Sequence, residues 1–280
     1  MDNLKTENKK NLVMTAACGF GVDQLQLFIK SLRKHFNGSV CFVIGVQDVE
    51  IERELEKYNC ICIKKKVDKR DIQLKRYKFF LEYLLDNSSY NNILFCDSRD
   101  IFFQKNPFDY DYQGSINFFL EDKKIHECKY NSQWMLGTYG KKIFNELSNK
   151  IISCGGTILG KQESIKKFLK LMIDETSKKR FKKRLKYLLT FRRDPNGRGS
   201  DQSHGNYIAH NNLIENSFYY SNKSGPIATI YHLEKILFNK DHQLINSKGE
   251  PYNVVHQYDK RWDEMKVCVM KLQKELNIKN

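Results

Sequence analysis

The chain has 280 residues, of which 40% are hydrophobic and 12% aromatic, and carries a formal net charge of +15. That apolar fraction excludes wholesale disorder, and no run approaches the roughly 18 apolar residues needed to cross a bilayer. The positive charge implies an anionic partner, and nucleic acid, nucleotide phosphates and an anionic membrane surface all satisfy it.

The first ten residues are polar and lack the apolar core of a signal peptide. Eight cysteines are scattered along the chain, and Cys41, Cys60, Cys62 and Cys96 lie within apolar runs. The spacing of Cys60 and Cys62 is strand alternation, not a zinc knuckle, so free thiols of a reducing, cytoplasmic compartment are expected. No zinc-finger, RNA-binding or homeodomain-like pattern is present, and nucleic acid is not expected as a partner.

The first half alternates strand and helix signals. Residues 12–17 read as a strand, followed by the flexible turn Cys18-Gly19-Phe20-Gly21. Asp23 is placed to cap a helix over 24–36, whose Leu25, Phe28, Ile29 and Leu32 share one face. Residues 40–46 predict a second strand, 50–58 a short helix, 60–63 a third strand and 71–85 a strong amphipathic helix. Strands separated by helices imply right-handed crossovers and a largely parallel sheet.

The stretch Asn92-Ile93-Leu94-Phe95-Cys96-Asp97-Ser98-Arg99-Asp100-Ile101-Phe102-Phe103 follows. A short apolar run ends in two carboxylates and a second run begins at once. A buried strand of this kind delivers Asp97 and Asp100 to the carboxyl edge of a sheet, where open α/β folds bind ligands. Two acids held close repel unless something positive lies between them, and hard carboxylate oxygens suit Mg²⁺ or Mn²⁺. The plainer alternative is a strand-end turn with two solvated acids.

The second half is less regular. Residues 115–120 predict a strand, 131–147 a mixed aromatic and helical region, and 151–160 an apolar strand interrupted by Gly155 and Gly156. A glycine pair there marks either a bulge or the close approach of a ligand. Residues 162–173 read as helix, 194–200 as a flexible loop and 201–210 as a further helix. No internal repeat or long linker is evident, so one domain spanning 1–280 is expected, with a nucleotide-binding half at 11–110 and an acceptor and catalytic half at 111–265.

Four segments together resemble a family. Asp97-Ser98-Arg99-Asp100, with Asn106-Pro107-Phe108 after it, is similar to the Asp-x-Asp metal motif of GT-A-fold glycosyltransferases, in a form with Arg before the second Asp. Cys154-Gly155-Gly156-Thr157 resembles their small-residue strand beside the donor sugar. Ser200-Asp201-Gln202-Ser203 resembles the Asp-Gln element of glycogenin-like retaining enzymes, and Val254-Val255-His256-Gln257-Tyr258 resembles their late histidine. The metal motif here is Asp-x-x-Asp, and the glycine-pair segment lacks the Asn often found in the glycogenin-like group.

The resemblance implies a GT-A-type, Rossmann-like, mainly parallel mixed sheet flanked by helices, with an elaborated carboxyl half. It implies a hexosyl- or deoxyhexosyltransferase using a nucleotide-diphosphate sugar, UDP-linked, and a glycan or lipid-linked acceptor. Asp97, Asp100 and His256 would hold Mn²⁺ or Mg²⁺, with Mn²⁺ the better match to a histidine ligand. Thr15, Ala16, Arg70, Arg76, Asp97, Ser98, Gly155 and Gly156 would contact the nucleotide sugar. Asp201 and Gln202 would be catalytic, Asp201 by orienting the donor sugar, by attacking the anomeric carbon, or as general base toward the acceptor. Plainer alternatives stand beside these roles: a packed His256, an ordinary ion pair for Arg76, a helix N-cap for Asp201. Arg99 is placed to brace the two acids from behind, and His204 and His210 read as polar helix residues.

The densest positive charge lies at 178–193, where Phe181, Leu185, Leu188 and Leu189 recur at helical spacing among lysines and arginines. One reading packs the apolar stripe and leaves the basic face solvated or lining an acceptor channel. The other lays the helix on an anionic membrane, where each basic residue adds about 1 kcal/mol. Two rival functions remain in view: a basic nucleic-acid-binding module, which leaves the paired acids unexplained, and a metal-dependent nucleotidyltransferase using the same acids.

Overall fold

The structure is a computed structural model that describes residues 11–67, 69, 71–190 and 199–278, with the backbone alone for 179–190. Its centre is a mixed sheet of seven strands in the order β3-β2-β1-β4-β7-β6-β8. These strands are β1 (Leu12–Ala16), β2 (Ser39–Gly45), β3 (Ile61–Lys65), β4 (Asn92–Cys96), β6 (Ile116–Lys124), β7 (Ile151–Lys161) and β8 (Ser217–Tyr220). Neighbouring pairs are parallel except where β7 runs antiparallel between β4 and β6. The predicted α/β class with a largely parallel sheet is therefore present.

Both sheet faces are covered, which is why the strands read as continuous apolar runs rather than alternating ones. Leu12, Met14, Ile93 and Phe95 pack on one face with α3 (Ile72–Asp86) and α5 (Gln162–Thr190), while Val13, Leu94 and Cys96 pack on the other with α1 (Asp23–His35) and α2 (Val49–Glu56). Edge-to-face aromatic pairs lock these layers. Phe28 of α1 meets Phe42 and Phe103 with ring centroids 5.6 and 5.2 Å apart, and Phe80 of α3 meets Phe95 at 5.5 Å. Each such pair contributes about 0.5–1.5 kcal/mol beyond its area burial.

Capping differs from expectation at α1. Its N-cap residue is Val22 and no side chain caps it. Gln24 instead reaches back, its Oε1 accepting the Gly21 N–H at 3.0 Å. The longer amide side chain reaches a turn amide that Asp23, already inside the helix, leaves to it.

The carboxyl half adds α4 (Lys129–Leu147), α6 (Ser200–His210), α7 (Trp262–Glu275) and a second sheet that the sequence did not announce. In that sheet β12 (Val254–His256) pairs antiparallel with β5 (Ile101–Phe103) and parallel with β9 (Ile227–Thr229). Strands of three residues are too short to show a period, so tertiary pairing alone defines them. Helix α7 packs over this sheet through Met265 and Val269 against Phe102 and Val255. A further hairpin joins β10 (Leu237–Phe238) to β11 (Leu244–Ile245). Helix α5 continues from its predicted start through the basic segment to Thr190. Arg70, the side chains of 179–190 and residues 191–198, which include most of the loop expected at 194–200, lie outside the described residues. Among the described residues no helix is long and apolar enough to cross a membrane, and all eight cysteines are free thiols.

Candidate metal centre

The topology brings three distant segments together at the carboxyl edge of β4. Strand β7 runs past that edge in the opposite sense, so Thr157 lies opposite Cys96, and the Asp97 N–H donates to the Gly156 carbonyl at 2.9 Å. The chain then turns into β5, and β12 places His256 opposite Ile101, one residue beyond Asp100. The Gln257 N–H donates to the Asp100 carbonyl at 2.7 Å, and Gln257 takes a left-handed backbone (φ 58°) that ends the strand there.

His256 is buried, at 1% exposure, and its Nε2 has no hydrogen-bond partner. That nitrogen lies 3.5 Å from Asp97 Oδ2 and 3.7 Å from Asp100 Oδ1. Ligand atoms of the three residues all lie within 4.8 Å of one another. An octahedral cation with bonds of about 2.1 Å sets its ligands about 3.0–4.2 Å apart, and both histidine–carboxylate distances fall in that range, so the group could hold a metal ion. The other ring nitrogen, Nδ1, lies 3.2 Å from Cys154 Sγ, which fixes the plane of the ring. With the proton on Nδ1 and directed at sulfur, Nε2 presents its lone pair to the carboxylates.

The glycine pair has a concrete reason. A Cβ on Gly156 would stand 2.5 Å from His256 Cε1 and 2.6 Å from Asp97 Oδ2. A Cβ on Gly155 would stand 2.5 Å from Gln202 Oε1. The side chains of the site thus occupy the space that the two glycines leave on the strand.

Arg76 joins the centre to Asp201. On the buried stripe of α3 it follows Ile72 and precedes Phe80, each at i,i+4 spacing. Its guanidinium packs 4.8 Å from the Phe95 ring centroid, with Nη1 2.6 Å from Asp97 Oδ1 and Nη2 3.6 Å from Asp201 Oδ2. Of the two acids that Arg99 was expected to brace, Asp97 is held by Arg76, and Arg99 pairs with Asp259 at 3.2 Å. Burial alone would raise the Asp97 carboxyl, but Arg76 and His256 outweigh it and hold Asp97 below the usual carboxylate range. Burial pushes Asp100 up against the attraction of His256, with Asp97 adding to the rise. Asp201 also rises through burial, opposed by Arg76. Burial disfavours charge on His256, yet Cys154 and the two carboxylates raise it well above an ordinary imidazole. Three carboxylates thus face one guanidinium and one imidazole, a group short of positive charge that could take up a cation or a proton.

The remaining expected residues fall as follows. Asp201 is the second residue of α6, whose N-cap is Gly199 with no side-chain cap. Gln202 has both ends of its amide engaged by β7, accepting from Gly155 N and donating to the Ser153 carbonyl, each at 2.8 Å. It clamps the strand rather than facing outward. Thr15 is fully buried. Ser98 is buried too, donating to the Ala16 carbonyl at 2.8 Å and tying the motif turn to β1. His204 bonds Tyr139 and His210 bonds the Ile151 carbonyl, both at 2.8 Å. Arg76, expected at the nucleotide sugar, takes instead the plainer alternative of an ion pair, with Asp97 and Asp201 as its partners. Cys154 was given no role by the sequence beyond its place before the glycines, and its contact with His256 had no signal there. No known protein family and no curated protein matches this chain.

Proposed function

We propose that the chain is a metal-dependent glycosyltransferase of GT-A type, moving a hexosyl or deoxyhexosyl group from a UDP-linked sugar to a glycan or lipid-linked acceptor in the cytoplasm. The observation that carries this reading is the convergence of Asp97, Asp100 and the unpartnered His256 Nε2 at the carboxyl edge of β4. The sheet order, with one antiparallel strand beside β4, is compatible with it.

When bound, Mn²⁺ or Mg²⁺ supplies positive charge against the diphosphate of the donor. Asp97, Asp100 and His256 would hold it. Arg76 keeps Asp97 ionised and fixes its carboxylate, while the same guanidinium aims Asp201 across the site. Asp201 then acts on the donor sugar, orienting its hydroxyls or attacking the anomeric carbon, which retains the anomeric configuration. Gln202 holds Gly155 and Ser153 in register so that α6 and β7 keep their spacing.

Titration calorimetry of UDP tests the metal dependence. Affinity is expected to rise in Mn²⁺ over chelator, and Asp100→Ala to abolish most of that gain. Equal affinity in metal and chelator would refute the proposal. Release of UDP from a panel of UDP-sugars, set against pyrophosphate release from nucleoside triphosphates, separates sugar transfer from nucleotidyl transfer.

A further inference from the structure

A second cluster of reactive side chains stands apart from the metal centre. Glu121 lies on β6 beyond its bulge, His232 closes the short 3-10 turn Ile230–His232 after β9, and Cys128 is the residue at which α4 begins. All three are nearly covered, at 5%, 9% and 5% exposure respectively. His232 Nδ1 pairs closely with a Glu121 carboxylate oxygen. The same imidazole acts electrostatically on the Cys128 thiol, and Asn131 Nδ2 donates to Cys128 Sγ at 3.3 Å. The sulfur therefore meets an imidazole held by a carboxylate, an amide N–H and the N-terminus of a helix. Each of these favours S⁻ over S–H.

The surrounding charges do not oppose this. Burial, with Cys128 adding to it, pushes the Tyr231 phenol up and keeps it uncharged beside the cluster. The carboxylate of Asp122 accepts the Glu234 N–H at 2.9 Å, and Lys223 pairs with Glu234. The single imidazolium of His232 is shared between the Glu121 carboxylate and the Cys128 sulfur, so the ionised cluster carries one net negative charge.

We propose that Cys128 is a reactive thiolate, a covalent-modification site for small uncharged electrophiles such as hydrogen peroxide, with His232 as its proton partner and Glu121 orienting His232. A sulfur lone pair attacks one peroxide oxygen and the O–O bond breaks. The departing hydroxide takes the His232 proton and leaves as water. Sulfur is oxidised by two electrons to sulfenic acid, and the peroxide is reduced. With iodoacetamide the same lone pair forms an S–C bond, iodide leaves and His232 keeps its proton.

The contrast with the other thiols supports the assignment. Burial opposes ionisation of Cys128, but His232 and Asn131 bring it down to about 7. Burial pushes Cys60 up to about 11 and Cys62 up to about 12. Cys60 and Cys62 are nevertheless the more exposed thiols, so exposure and ionisation predict opposite orders of reaction.

The test is alkylation with substoichiometric iodoacetamide between pH 5.5 and 9, read peptide by peptide by mass spectrometry. Cys128 is expected to react first, with a rate midpoint near pH 7. His232→Asn should move that midpoint up by at least a unit and slow labelling at pH 6.5 by about threefold or more, the lower thiolate fraction being partly offset by a stronger nucleophile. Glu121→Gln should act in the same direction, more weakly. After peroxide treatment, dimedone should trap sulfenic acid at Cys128. Should His232→Asn fail to fold, the wild-type order and midpoint decide the matter. First labelling at Cys60 or Cys62, or a Cys128 rate still rising above pH 8.5, would overturn the proposal. None of these readouts depends on the transferase reading.

Discussion

Replacing Gly156 by alanine adds one methyl group to the centre of the candidate metal site. The new Cβ would lie 2.5 Å from His256 Cε1, 2.8 Å from His256 Nε2 and 2.6 Å from Asp97 Oδ2. Distances this short force a displacement, and neither neighbour yields freely. The His256 ring is buried and tied to Cys154, and Asp97 is pinned by Arg76. Overpacking of this kind costs about 1–3 kcal/mol. If the strain is relieved by pushing His256 and Asp97 apart, that energy appears as weakened ligation. At about 1.4 kcal/mol per tenfold, Mn²⁺ affinity should fall roughly 5- to 150-fold. Gly155→Ala is the matched control on the same strand. Its Cβ meets the end of the Gln202 side chain, away from the ligand atoms, so it should lower the midpoint of thermal unfolding while leaving Mn²⁺ affinity within about threefold. Titration calorimetry with Mn²⁺, beside thermal unfolding of both variants, distinguishes the cases. Wild-type Mn²⁺ affinity in a folded Gly156→Ala protein would refute the placement of the cation between Asp97 and His256.

Arg76→Ala leaves Asp97 and Asp201 without their shared cation and should destabilise the fold by about 3 kcal/mol in urea unfolding, near the lower end for a broken buried pair because the Asp97 side chain is 34% exposed. Unchanged stability would show that the bridge is not needed. Because the carboxylates and Cys154 raise His256 above its ordinary value, its proton competes with the cation over a wider pH range. Metal binding then releases that proton, so Mn²⁺ affinity should keep rising with pH above 6.5 and be weakest in acid, and His256→Ala should flatten the profile. Asp201→Asn should lower kcat and kcat/KM together while changing donor affinity little, and product analysis by NMR should show retention. Inversion would remove Asp201 from the attacking role.

Much of the amino half is legible because its physics is local. The apolar runs of β1, β2 and β4 and the stripes of α1 and α3 each carry a period or a length that identifies them, and the structure reproduces them with boundaries shifted by a residue or two. Asp97 and Asp100 stand out for the same reason, since charge placed directly after a buried run must emerge at a sheet edge. In the carboxyl half, β5, β9 and β12 owe their existence to one another, with no period of their own to read.

The sequence by itself determined the class of the sheet, the strand that ends at the acids, and the presence of a late histidine. It did not determine where that histidine goes. His256 reaches Asp100 because β12 pairs with a segment more than 150 residues earlier, a choice made by the packing of α7 and Phe102 rather than by neighbouring residues. Arg76 changes role for the same reason. On the helix it is a cation on an apolar stripe, and only the closing of α3 and α6 over β4 gives it two carboxylates to hold. His232 lies more than 100 residues beyond Glu121 and Cys128 and shares no motif with them, so their meeting exists only in three dimensions. Local patterns encode which face is buried. Which buried groups meet is settled by long-range pairing, where the cost of an unpaired charge in a low-dielectric interior selects the partners.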